Sequence, residues 1–286
     1  MVTLIEQKEY DLNAILKEED LWTGFPDVKN RSVFIKPNLV VPPRGNDIQS
    51  CTHRTVVEAV IVRAKQGGAH TITVGDCGFK DQWELTVECS GYREMCERYR
   101  VSLVGLQEGE NYHRYTLVRF PQPDQYLSLY GIKVSDYLLG AEVVINVPKL
   151  KIHGLVGYTG AIKNLMGCVS PKGSMHPRGS VDILHKRLRD LYYLLRNRIA
   201  WVLLDGIVGA EYSEQYGTPK FAGILASGSC MFEIDATGAQ IVGYLSRDIE
   251  YLRLIEQQQG WGVPRIAPRW RRDFERSLYY KKSVPV

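Results

Sequence analysis

Between Asn146 and Gly167 the chain reads NVPKLKIHGLVGYTGAIKNLMG, and no other stretch of this length concentrates so many groups capable of chemistry. If the backbone stays extended past Pro148, side chains two apart share a face, so Lys149, Lys151 and His153 point the same way. Two ammonium groups and an imidazole on one face suit the binding of an anion and the movement of a proton. Gly154, Gly157 and Gly160 follow, with Tyr158 or Thr159 leading into AIKNLMG, a short helical pattern closed by Gly167. A glycine-rich turn that feeds a helix N-terminus presents backbone N–H groups and a positive dipole end, a further place for an anion. Lys163 and Asn164, one turn into that helix, add a cation and an amide. The same residues would also serve as a solvated basic edge ahead of an ordinary loop.

Charge favours the chemical reading. From Lys149 to Arg198 there are ten Lys or Arg and only two acids, Asp182 and Asp190, together with His153, His176 and His185. Elsewhere 26 Lys or Arg face 30 acids, so the positive charge is regional and implies an anionic partner.

Strand and helix patterns must position these groups. Ser32 to Ile35 reads as a strand running into Lys36-Pro37-Asn38, Thr55 to Gln66 as an amphipathic helix stopped by Gly67-Gly68, and His70 to Val74 as a strand ended by Gly75-Asp76. That spacing predicts a right-handed βαβ unit with a parallel sheet. A helix over 90–100 and a short strand at Val101–Val104 follow. Residues 112–133 lack a helical period and read as a hairpin or antiparallel addition. Val143–Val147 is a buried strand, Ile183–Leu195 a helix, and Ala200–Leu204 a strand ending in Asp205-Gly206. A strand near Gly223–Ala226 leads to a helix starting around Glu233 or Asp235. The expected fold is therefore α/β, a mostly parallel sheet flanked by helices with a small antiparallel β addition in the middle of the chain, forming one domain over residues 1–286. In open α/β sheets ligands bind outside the carboxyl ends of the strands, where Lys36, Asn38, Asp76 and Asp205 join the lysine and histidine face. Each aspartate alone would also serve as a helix cap or turn former.

With 44% hydrophobic and 24% charged residues the chain is an ordinary globular sequence. No apolar run reaches membrane-spanning length and the N-terminus carries acids, so a cytoplasmic location without a membrane is expected. The six cysteines stand at least seven residues apart, which excludes a local CxxC pair and the tight run of a bacterial ferredoxin. Cys77 and Cys168 adjoin the candidate segments and are minor nucleophile candidates.

The motifs KPNLV at 36–40, VGD at 74–76, NVPKLKIH at 146–153, GAIKNLMG at 160–167, His176, DGI at 205–207 and GTP at 217–219 occur in one order. In this combination the chain resembles the bacterial and archaeal domain-of-unknown-function family 362, over about 31–262, with a basic and aromatic tail at 263–286. That domain often accompanies iron–sulfur modules, so the resemblance implies a redox connection. The ferredoxin cysteines are absent from this chain, and the family name supplies no reaction.

The residues themselves point to an enzyme acting on a small anionic substrate bearing phosphate, sulfate or carboxylate. It would use acid/base chemistry or expel an anionic leaving group. Lys149, Lys151, Lys163, His153, His176 and Asp76 are the catalytic candidates; Lys36, Asn38, Thr159, Gly160, Asn164 and Asp205 are the substrate-binding candidates. Clustered ammonium groups lower one another's proton affinity, so one lysine can be reactive while the others hold the anion. The alternatives are a non-catalytic anion-binding or accessory subunit and a metal-dependent enzyme using His153, His176, Asp76 and Asp205. Without HxH, HExxH or paired-cysteine spacing, no metal ligand is assigned. No cofactor is expected, since neither GxxxxGK[ST] nor GxGxxG after the first strand is present. Nucleic acid is disfavoured because acids interrupt the arginine-rich tail. A partner subunit or a second copy of the chain stays open as a contributor to the site.

Overall fold

The structure, a computed structural model of the 286-residue chain, describes residues 1–43, 49–79, 82–106, 114–120, 128–129, 131–171, 175–176, 180–277 and 280. Strand β1 (Thr3–Glu6) and helix α1 (Leu12–Lys17) come first, both too short to show a readable period. The βαβ unit follows as the sequence predicts: β2 (Ser32–Pro37), α2 (Arg54–Gln66) and β3 (Thr71–Asp76). Val56, Val57, Val60, Ile61 and Ala64 form the buried face of α2. Gly91, with a φ of 72°, turns the chain between α3 (Trp83–Cys89), which was not expected, and α4 (Tyr92–Tyr99). Strand β4 (Ser102–Gly105) closes this part.

The middle of the chain contributes the antiparallel pair β5 (Tyr115–Arg119) and β6 (Gly131–Ser135), then α5 (Asp136–Gly140) and the fully buried β7 (Val143–Val147). Past Pro148 the backbone does stay extended, as β8 (Lys149–His153), and returns as β9 (Gly157–Thr159). Helix α6 (Ala161–Asn164) runs straight into a 3-10 turn, Leu165–Cys168, so Gly167 lies inside that turn instead of closing the helix. Strand β10 (Val169–Ser170) pairs with β6 and completes a three-stranded antiparallel sheet.

Next come α7 (Val181–Leu195), β11 (Trp201–Glu211), β12 (Thr218–Gly228), α8 (Met231–Ile241) and α9 (Glu250–Gln259). The expected strand end at Asp205-Gly206 is not an end. β11 shifts register between Gly206 and Val208 and continues to Glu211, because antiparallel β12 offers partners along its whole length. Helix α8 starts at Met231, earlier than expected, which places Asp235 inside it. In the tail, Phe274 and Tyr280 are buried against the body of the molecule.

Among the described residues the main sheet runs β1-β12-β11-β7-β2-β3-β4, with β8 and β9 joined to it through β11. The run β11-β7-β2-β3-β4 is parallel, and β12 and β1 are antiparallel additions at one edge. β11 pairs with β7 at Trp201 and Val202, then with β8 at Asp205 and Ala210. Pro148 marks this handover, its carbonyl accepting from Asp205 N at 2.9 Å. Alternate residues of the same strands enter two separate apolar clusters, Phe34 and Val144 in one, Val33, Ile35, Val143 and Ile145 in the other. Such alternation means that both faces of the sheet are covered. No described helix is long and apolar enough to cross a membrane.

Candidate active site

Lys36 and Asp76 leave the sheet at the ends of neighbouring parallel strands, β2 and β3. The Lys36 Nζ is fully buried and donates to Pro37 O at 2.7 Å and Asn164 Oδ1 at 3.3 Å, with Asp76 Oδ1 at 2.9 Å. Asp76 also accepts the backbone N–H groups of Leu39 and Cys77, each at 2.7 Å. The Asn164 side-chain amide donates to Asn146 Oδ1 at 2.8 Å and to Lys36 O at 3.1 Å, which anchors α6 to the sheet edge.

Lys149 takes a separate course. Its Nζ donates to Asp205 Oδ2 at 2.7 Å and Tyr10 Oη at 2.8 Å, and both members of the ion pair are fully enclosed. Asp205 further accepts from His53 N at 2.8 Å and Tyr10 Oη at 3.0 Å, while the Tyr10 and His53 rings stack with centroids 3.7 Å apart. Burial lowers the Lys149 ammonium's proton affinity, and the Asp205 charge opposes that effect. Lys149 and Asp205 thus form a sealed pair behind the strand ends.

Two residues along the same face, Lys151 does meet the cleft. Its Nζ donates to Asn38 Oδ1 at 2.6 Å, Ser50 O at 2.5 Å and Glu214 O at 3.1 Å, which uses all three ammonium hydrogens. Burial, reinforced by the charges of Lys149 and Lys163, pushes its pKa down to about 8. His153 Nδ1 accepts from Leu155 N at 3.0 Å and Val156 N at 3.3 Å, so the neutral ring carries its proton on Nε2. Nε2 lies 3.6 Å from Glu214 Oε1. Burial first, then the positive groups Lys163, His176 and Lys151, hold the imidazole well below the usual histidine range. His153 is accordingly a neutral donor at pH 7, where the sequence suggested a group titrating near neutrality.

These side chains border a cavity of about 650 Å³. Lys151, His153 and Thr159 reach it from β8 and β9, Lys163 and Asn164 from α6, and Asn38 and Asp76 from the ends of β2 and β3. His176, exposed, stands at its margin. Of the candidates, Lys36, Lys149, Gly160 and Asp205 do not line it. Among the described residues no group of three or more His, Cys, Asp and Glu side chains is arranged to hold a metal ion.

The expected anion site at the start of α6 is already filled from within. Asp235, fully buried on α8, accepts the backbone N–H groups of Ala161 and Ile162, the latter at 3.0 Å, and the Tyr251 hydroxyl at 3.3 Å. A Cβ at position 160 would sit 2.2 Å from Asp235 Oδ1, which is why glycine stands there. Burial raises the Asp235 carboxyl to about pKa 7, the three hydrogen bonds opposing it.

Sequence reasoning missed Tyr10, Asn146, Glu214 and Asp235 as members of this assembly. Asn146 had a signal, being the polar residue inside the buried strand VVINV. Glu214 lies between β11 and β12 and gave none, since its role depends on that turn folding back over β8.

An α/β fold with a cavity at the carboxyl ends of its parallel strands, lined by lysine, histidine and carboxylate side chains, is the class of protein that emerges. The chain belongs to the family described as domain of unknown function (DUF362), which matches residues 33–240, from β2 into α8. It is 28% identical over 208 residues to the Thylakoid-associated protein sll1697 of Synechocystis sp. (strain ATCC 27184 / PCC 6803 / Kazusa), covering 71% of this chain and 60% of that protein. The lactate racemase apoprotein from Thermoanaerobacterium thermosaccharolyticum shares the fold with a TM-score of 0.50 at 12% identity, over 82% of this chain and 57% of that one. The chain spans about three fifths of the length of these relatives.

Proposed function

We propose that the protein is an enzyme that performs acid/base chemistry on a small carboxylate. The observation that carries this reading is the meeting, in one cavity, of the Lys151 and Lys163 side chains with His153, whose Nε2 lies 3.6 Å from Glu214 Oε1. Lys163, half-buried on α6, binds the substrate anion. Lys151 has its hydrogens committed to the protein and contributes positive potential, which a desolvated site makes effective. Glu214 takes the proton from the carbon next to the carboxylate and a proton returns to that carbon, while the His153 Nε2–H stabilises the negative charge that develops on the carboxylate oxygens in between. The lactate racemase that shares the fold acts, by its name, on a small carboxylate, which agrees with this substrate chemistry.

Incubation of the purified protein with a panel of 2-hydroxy acids in D2O, followed by proton NMR and chiral chromatography, tests the reading. Loss of the proton beside the carboxylate, or inversion at that carbon, is expected for at least one acid. Binding by calorimetry without any such change would favour the second reading, a non-catalytic anion-binding or accessory subunit. The feature that speaks for that alternative is the hydrogen-bond saturation of Lys151, which holds it as a fixed cation.

A further inference from the structure

The polar groups occupy only part of the cavity wall. Leu106 from the end of β4, Tyr115 from β5, Val169 from β10, and Phe79 and Met166 make up much of the remainder. Leu106, Met166 and Val169 belong to the core cluster on this side of the sheet, so this wall is the open face of a packed apolar core. The Tyr115 hydroxyl donates to Leu106 O at 2.8 Å, which fixes this side chain in the cavity wall.

Size adds a second argument. A volume of about 650 Å³ falls within the roughly 300–1,000 Å³ typical of sites for drug-sized ligands. A three-carbon acid would leave most of it to water. Water against an apolar wall lacks the hydrogen-bonding partners that make buried water favourable.

We infer that the acid taken by this site carries an apolar body about the size of an aromatic ring, seated against Phe79, Tyr115 and Leu106, while its anionic group faces Lys163 and Lys151. This rests on the polar wall being the anion site proposed above. Burial of a phenyl-sized group strengthens binding by about tenfold to a hundredfold.

Calorimetry with three probes tests the inference: lactate, 2-hydroxy-3-phenylpropanoate and the neutral amide of the latter. The phenyl acid is expected to bind at least about tenfold more tightly than lactate, and its amide much more weakly than the acid. Tyr115→Ala should shrink the preference for the phenyl acid, whereas Tyr115→Phe, which keeps the ring, should retain it. Equal affinity of the wild-type protein for the two acids, or an amide that binds as well as the acid, overturns the inference. So does a preference unchanged in Tyr115→Ala. Tight binding of the phenyl acid with no proton exchange leaves the inference standing and removes the catalytic reading alone. Turnover of lactate with no affinity for the phenyl acid does the reverse.

Discussion

Lys36 Nζ lies 2.9 Å from Asp76 Oδ1 with both side chains withdrawn from solvent, so two adjacent parallel strands end in one buried ion pair. Gly167 packs against it so closely that a Cβ there would stand 2.0 Å from Asp76 Oδ1 and 2.9 Å from Lys36 Nζ. The pair fixes the strand ends, and its acceptor Asn164 ties α6, with Lys163, to the same point.

Breaking that pair from one side leaves a buried carboxylate without its counter-charge. Lys36→Met is expected to lower the free energy of unfolding by about 3–5 kcal/mol, measured by urea denaturation. A loss below about 1 kcal/mol would mean that solvent or another cation already compensates Asp76.

Lys163 lines the cavity, and the proposed function has it bind the substrate anion. Lys163→Ala, in a variant shown by circular dichroism to be folded, should reduce substrate turnover, or anion affinity if the protein only binds, by about tenfold to a thousandfold. Wild-type behaviour in a folded variant would make this lysine a surface charge.

The pH dependence follows from Lys151. Its folded pKa of about 8 is below the ordinary lysine value, so the folded state releases this proton first as pH rises. Between about 8 and the ordinary value the unfolded chain binds more protons, and this residue's contribution to stability increases with pH. Anion affinity should fall over the same range as the positive charge disappears. A pH–affinity profile is expected to descend near pH 8 in the wild type, to lack that limb in Lys151→Met, and to keep it in His153→Gln. A limb that moves with His153→Gln would reassign it to the imidazole.

Asp235 gives the opposite sign. Its carboxyl, raised to about 7, binds its proton more tightly in the folded state, so the stability it contributes is full below the ordinary carboxylate range and is lost as pH rises through about 7. Asp235→Asn cannot titrate, and its amide turns a donor toward one of the two N–H groups of α6, at a cost of about 1–3 kcal/mol. Denaturant unfolding should therefore show a larger penalty for this variant at pH 5 than at pH 8. A penalty that stays constant or grows with pH would show that Asp235 is not the titrating group.

How much of this was readable depended on the distance over which each feature is decided. The alternation in KLKIH is local, and β8 carries Lys149, Lys151 and His153 in that register. The strand ends at Lys36 and Asp76 were equally legible, since apolar runs stop there. Lys149 was grouped with Lys151 because nothing nearby in sequence separates them. What separates them is Tyr10, 139 residues upstream, which closes over Lys149 with Asp205. The start of α6 read as an open anion site for the same reason, as its acceptor, Asp235, is 74 residues downstream of Ala161. The end of β11 was misplaced because Asp-Gly is a turn signal by composition, and only pairing with β12 overrides it.

Lys151 joins, through one nitrogen, stretches of chain at Asn38, Ser50 and Glu214. Contacts so distant along the chain carry loop-closure costs that must be met before they are rewarded, so they belong to the late stages of folding. The part of the cavity wall made by Glu214 and Gln215 exists only when the β11–β12 turn has settled over β8. Under the proposed function, binding competence is therefore a report on completed folding: an intermediate with its first βαβ unit formed would have the strand-end ion pair and lack the assembled cavity.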